Sequence, residues 1–181
     1  AAAECERIAE GDADVEVRRE AAWRAAELWA DGGDSARASR AFARYVERHP
    51  TPVPAAIEAR QRLAELARGR GDGVDELRWL TEIVAADAAA GAERTARTRT
   101  LAAHAELRLA EPRRDAFLGV RLVAPLDRSL ARKRELMEAA LAAYRRAADY
   151  GLPEVTTAAT YQIAELYHAL GRDLLASERP A

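Results

Sequence analysis

Sulfur is nearly absent from this sequence, and aromatic rings are few. Its 181 residues include one cysteine, Cys5, which excludes an internal disulfide and any paired-cysteine metal site. Aromatic residues make up 6% of the chain. No apolar run is long enough to cross a bilayer and no charged-then-apolar leader is present, so direct membrane insertion is not expected of this segment. A net charge of -2 gives no footprint for nucleic acid or an anionic membrane as the main partner. The motif classes of common enzymes are empty too: there is no P-loop, no Gly-rich dinucleotide turn and no His-Glu-x-x-His. No catalytic residue, cofactor or metal is expected.

What the sequence does have is alanine and charge. About a quarter of the chain is alanine, and 32% is charged. Alanine is the best helix former and lets helices approach closely, whereas strands favour Val, Ile, Thr and aromatics. The expectation is an all-α fold with almost no strand. Between Glu93 and Arg146, thirteen basic residues, among them Arg128, Arg132, Lys133 and Arg145, stand against seven acidic ones. This run reads as a solvated helix face, with a docking face as the alternative. Within its Arg128–Arg146 part the one aromatic, Tyr144, falls on the apolar side and offers no stacking ladder for bases.

Gly, Pro and Asp punctuate the chain at a helix-turn-helix rhythm. The opening "AAAECERIAEG" lacks Met and reads as the tail of a helix over 1–11, as expected of a piece cut from a longer protein. Asp14 caps the next helix, whose Ala22, Ala25, Ala26 and Trp29 recur at helical spacing. After the turn "DGGD", a helix from about Ser35 carries Ala38, Ala41, Phe42, Tyr45 and Val46 on one face and stops before "HPTPVP". The unit of 14–50 then recurs over 53–90. Ile57, Leu63, Ala64, Leu66 and Ala67 lie on its first helix, Gly71-Asp72 in its turn, and Leu77, Leu80, Ile83 and Val84 on its second. Asp34 and Asp72 are 38 positions apart, a period in the range of helical repeats that bury their faces by stacking.

Residues Glu20 to Pro50 resemble a tetratricopeptide repeat. The positions carrying the resemblance are Ala26, Gly33-Asp34, Ala38, Phe42 and Pro50, with Trp29 where the family usually has Tyr. The second unit departs from the pattern, since Glu76 replaces the small residue of its second helix and Ala88 the closing Pro. The resemblance implies a right-handed α-solenoid of antiparallel helix pairs whose concave face takes a protein or peptide. Carried over residue by residue, the candidate contacts are Trp23, Glu27, Gln61, Glu65 and Arg68, together with Tyr161, Glu165 and His168 in the last helix. Trp23 sits beside the packing positions Ala22 and Ala26. Two readings stay open for it, an exposed anchor of the kind interfaces use or a ring packed on the preceding repeat.

The rest of the chain is less regular. A helix from about Glu93 carries Leu101, Ala102, Ala105, Leu107 and Leu109, and Pro112 is expected to break it, leaving an irregular connector near 112–126. Asp127 then caps a long helix over 127–150, with Leu130, Met137, Leu141, Tyr144 and Ala148 on its apolar face, ending at Gly151. Pro153 opens a last helix over 152–179, in which Ile163, Ala164, Tyr167, Leu170 and Leu174 read as the buried stripe. Ser129 to Pro180, above all "EVTTAATYQIAELY" and "SERP", is similar to a segment of large proteobacterial envelope proteins encoded beside TonB, ExbB and ExbD-type motor components or gliding-motility genes. That resemblance implies a periplasmic or envelope scaffold; composition indicates neither.

His49, at a helix end, reads as a mildly favourable cation. His104 with Glu106 and Arg108 does not converge on one face. Tyr161, Glu165 and His168, spaced four then three, share a face, either through an intrahelical hydrogen bond or as a small-ligand or metal site. Cys5 reads as a small seam residue, with a reactive thiol or an interchain disulfide partner as the alternative. Self-association through exposed end helices is a third possibility for the chain as a whole.

Overall fold

The structure, a computed structural model, describes residues 1–177 and is all-helical, with no strand among them. The chain divides into two compact units, the first spanning Ala1–Leu101 and the second beginning at Ala102.

In the first unit, α1 (Ala2–Gly11), α2 (Val15–Asp31), α3 (Ser35–Arg48), α4 (Val53–Gly69) and α5 (Gly73–Ala89) each pack on the next. Their alanine-rich faces explain the closeness: Ala26, Ala38, Ala59, Ala64 and Ala67 are fully buried, with Phe42, Ile57, Leu63, Leu80 and Ile83 filling the space between. The expected cap holds, since the Asp14 carboxylate accepts from Glu16 N at 2.8 Å.

The two turns of this unit are the same object repeated. Asp34 N donates to Trp29 O at 3.0 Å and Gly33 N to Ala30 O at 3.0 Å; 38 positions on, Asp72 N donates to Ala67 O at 3.0 Å and Gly71 N to Arg68 O at 2.9 Å. Both glycines lie at positive φ, +77° at Gly33 and +72° at Gly71, where an L side chain is strained. Each aspartate then caps the following helix, Asp34 accepting from Arg37 N at 2.9 Å and Asp72 from Asp75 N at 3.0 Å. The spacing carries into packing as well: Ala26 and Ala64 are both 0% exposed, and Phe42 matches Leu80. Glu76, the misfit of the second unit, is buried and accepts from Arg68 Nε at 2.8 Å.

A 3-10 turn (Gly91–Glu93) follows α5, and α6 (Ala96–Leu118) begins in the first unit and continues into the second. Asp87, fully buried on α5, fixes this entry: it accepts from Thr98 Oγ1 at 2.8 Å and from Arg94 Nε at 2.9 Å. Thr95 and Thr98 exchange backbone-to-hydroxyl bonds of 3.0 and 3.1 Å, a reciprocal cap at the start of α6.

The second unit corrects several expectations. Pro112 does not break the helix; α6 runs through it to Leu118, so the irregular stretch shrinks to 119–125. Proline has no N–H to contribute to the helix ladder and its ring crowds the preceding turn, at a cost of about 3 kcal/mol. Against that stands the stripe Ala103, Ala110 and Phe117, seven apart and all 0% exposed. Burying Phe117 alone contributes a comparable 1.5–3 kcal/mol or so. The following helix, α7 (Leu126–Ala148), starts with Pro125 at the cap position, and Asp127 lies in its first turn rather than capping it.

Lys133 is not on a solvated face. It is the chain's single lysine and is 0% exposed. Its Nζ donates to Val120 O at 2.6 Å and to Phe117 O at 3.2 Å, pairs with Asp173 at 2.8 Å and stands 4.4 Å from the Phe117 ring centroid. The ammonium thus ties the last turn of α6 to the connector beyond it, and these two carbonyls with the Asp173 carboxylate are why a charge is tolerated there.

On the last helix, α8 (Pro153–Ala176), the buried stripe is Val155, Ala159, Leu166 and Ala169. Of the expected stripe, Ile163 and Leu170 are only half-buried, while Ala164, Tyr167 and Leu174 are exposed. Ile163 and Leu170 pack at the edge of the same core, so the stripe is rotated from the expected one rather than lying on another face. Gly171 is carried inside the helix without a turn. The last positions of the expected helix and most of "SERP" (178–180) lie outside the described residues.

Candidate functional site

Helices α2 and α4 both pack on α3, which floors a groove between them. Two concavities lie along it. One, of about 390 Å³, is lined by Trp23, Glu20, Tyr45, Pro52 and Glu58. The other, of about 190 Å³, is lined by Glu27, Asp31, Phe42, Arg62 and Glu65.

Trp23 is half-buried, and its ring meets Phe42 at 5.4 Å and 77° and Tyr45 at 5.3 Å and 73°. Both are edge-to-face contacts of the kind aromatic quadrupoles favour. The two readings of this residue therefore merge in part: the ring packs within its own repeat, on α3 rather than on a preceding unit, yet also lines the open concavity. Burial pushes the Tyr45 phenol up, with Arg19 opposing the shift and Glu16 adding to it. Tyr45 in turn meets the His49 ring at 5.3 Å, the two planes tilted by 48°. His49 is not a favoured cation at its helix end: burial first, then Arg19, Arg18 and Arg48, hold its pKa below the ordinary value, with Glu16 opposing them.

The groove thus brings together Trp23, Glu27 and Glu65. Gln61 stands behind Glu65, donating to it at 2.9 Å, and Glu27 and Glu65 each take an arginine at 3.3 Å, Arg24 and Arg62. Arg68 is not part of the groove lining; its guanidinium is engaged with Glu76. Tyr161, Glu165 and His168 share a different cleft, within the second unit, of about 310 Å³, joined there by Arg114 and Arg172. All three are exposed, and no hydrogen bond links them in the structure. Among the described residues no three His, Cys, Asp or Glu side chains are placed to hold a metal ion.

The reading by residue type missed the acids of the groove other than Glu27 and Glu65. Glu20 and Glu58 are 38 positions apart, as are Glu27 and Glu65. Reading charge at the repeat period, rather than apolar residues alone, would have found them. Phe42 and Tyr45 were assigned to packing, and they also form the floor. No family model, curated protein or solved structure matches this chain.

Proposed function

We propose that this chain is a non-catalytic protein-interaction scaffold of tetratricopeptide type, in which the groove between α2 and α4 holds a peptide segment of a partner. The observation that carries the reading is the pair of concavities along two helices one repeat apart, floored by Phe42 and Tyr45 and walled by the half-buried Trp23. A half-exposed indole over an aromatic floor supplies the desolvated anchor that protein interfaces use. The two hydrogen-bond-matched turns support the repeat assignment. With the resemblance of the C-terminal third, we place the scaffold in a larger periplasmic or envelope protein that serves a TonB/ExbB/ExbD-type or motility system.

The test is selection of binders from an unbiased peptide library, followed by mapping of backbone amide shifts. Peptides that perturb α2 and α4, and lose affinity on Trp23→Leu in a chain that still folds, support the reading. Selected peptides that leave both helices unperturbed would sink it.

A second reading is favoured by the cleft around Tyr161, Glu165 and His168, where six polar side chains line a concavity with Leu118, Leu166 and Ala169. It makes the second unit a small-ligand module. Small-molecule screening by amide shifts, with hits confined to α6 and α8, separates it from the first.

A further inference from the structure

The geometry points to a cationic segment as the occupant of the α2–α4 groove: an extended peptide with arginine or lysine at every third residue, one of them over Trp23. This rests on the groove reading above and specifies the chemistry of its partner.

Charge carries the first part. The two concavities are lined by six carboxylates, Glu16, Glu20, Glu27, Asp31, Glu58 and Glu65, and two guanidiniums, Arg19 and Arg62. Four of the acids already face an arginine: Glu16 with Arg19, Glu27 with Arg24, Glu65 with Arg62 and Glu58 with Arg97. Glu20 and Asp31, both exposed, have no cationic partner among the described residues. The existing pairs are mostly between neighbours on one exposed helix face, a class worth about 0.5 kcal/mol or less, so an incoming cation exchanges them at little cost. An anionic segment would meet six carboxylates in a partly desolvated trough.

The aromatic wall carries the second part. The chain sets arginine over indole twice, Arg37 at 4.6 Å over Trp29 and Arg78 at 3.8 Å over Trp79. Trp23, the third tryptophan and the one in the groove, has no arginine over it among the described residues. A guanidinium arriving between Glu20 and Trp23 gains the attraction of the ring and the carboxylate together.

Spacing sets the register. Glu20 and Glu27, seven residues apart on α2, are separated by about 10 Å along the helix axis. Three residues of a polyproline-type peptide advance about 9 Å and return a side chain to the same face. Two residues of a strand advance only about 7 Å. Cations at i and i+3 therefore meet Glu20 and Glu27 in turn.

The experiment uses the full chain and three dye-labelled peptides of equal length, with arginine at every third position, arginine at every second position, or glutamate in place of arginine. Fluorescence anisotropy reads affinity, and amide shifts read the site. The every-third arginine peptide is expected to bind at α2 and α4, weaken as salt rises from about 50 to about 200 mM, and lose up to about fivefold in affinity with Glu20→Gln or Asp31→Asn. Neither acid supports the fold through a contact in the structure, so these variants stay informative if Trp23→Leu unfolds. Equal or tighter binding of the glutamate peptide in the groove overturns the cationic assignment and leaves the groove standing. Shifts that avoid α2 and α4 for every peptide overturn the groove itself. Dimerisation that Glu20→Gln abolishes, without peptide binding, assigns the groove to a second copy and overturns the proposal.

Discussion

Arg68 Nε lies 2.8 Å from the Glu76 carboxylate, across the crossing of α4 and α5 where the preceding repeat has Ala30 and Ala38. An ion pair thus occupies the place of two small residues, and its two halves are unequal: Glu76 is 3% exposed, whereas over half of the Arg68 side chain is open to solvent. Glu76→Ala returns the residue of the first repeat and releases an arginine that water can solvate. Arg68→Ala removes compensation from a buried carboxylate. Urea denaturation is expected to show Arg68→Ala as the more destabilising change, by about 1–3 kcal/mol. The reverse order would mean that the pair does not act through burial.

Pro112→Ala is expected to stabilise. Proline contributes no N–H to the ladder of α6, and its replacement returns one and removes the ring clash, a change bounded by about 3 kcal/mol. A higher thermal midpoint with unchanged helical circular dichroism is the result to look for. A lower midpoint would show that Pro112 is needed by its surroundings.

Lys133→Met keeps the length of the side chain and deletes its charge. It strips Phe117 O and Val120 O of a donor and leaves Asp173 without its partner. Because Asp173 is about a third exposed and partly solvated, the expected loss is about 2–4 kcal/mol rather than the full cost of a broken buried pair. Unchanged stability would remove Lys133 from the role of holding the end of α6.

His49 gives the fold a pH dependence. Its pKa is lowered in the folded state, from 6.5, by burial and by the neighbouring arginines. The unfolded chain therefore takes up the proton first as pH falls. The contribution is fully present above about pH 6.5 and is lost as pH drops through the lowered folded value. Stability measured from pH 8 downward is expected to fall in that window, and His49→Gln to flatten the fall. Identical profiles for the two chains would assign the dependence to other groups.

The helices and the two matched turns were legible because both rest on local signals: alanine content, caps such as Asp14, Asp34 and Asp72, and glycines that only a left-handed turn requires. Pro112 and Lys133 were misread because tertiary packing reverses their local meaning. A proline reads as a break until Phe117 anchors the helix beyond it, and a lysine in a basic run reads as solvated until the end of α6 closes over it. The stripe of α8 was displaced for a related reason: Ile163 and Leu170 border the same core that buries Val155 and Leu166, and only the position of α7 sets where that stripe is centred. Of the residues that the resemblance offered for the candidate site, Trp23, Glu27 and Glu65 line the concavities between α2 and α4. Glu20, Asp31 and the aromatic floor were not legible, because their role comes from the neighbouring helix.

Because the single ε-amine of the chain is sealed beneath α6, the folded surface offers no lysine to acylating reagents, amine cross-linkers or enzymes that build isopeptide bonds. Modification of Lys133 has to wait for the second unit to open. The rate at which that one amine becomes acylated therefore measures how often the unit unfolds, without any engineered probe.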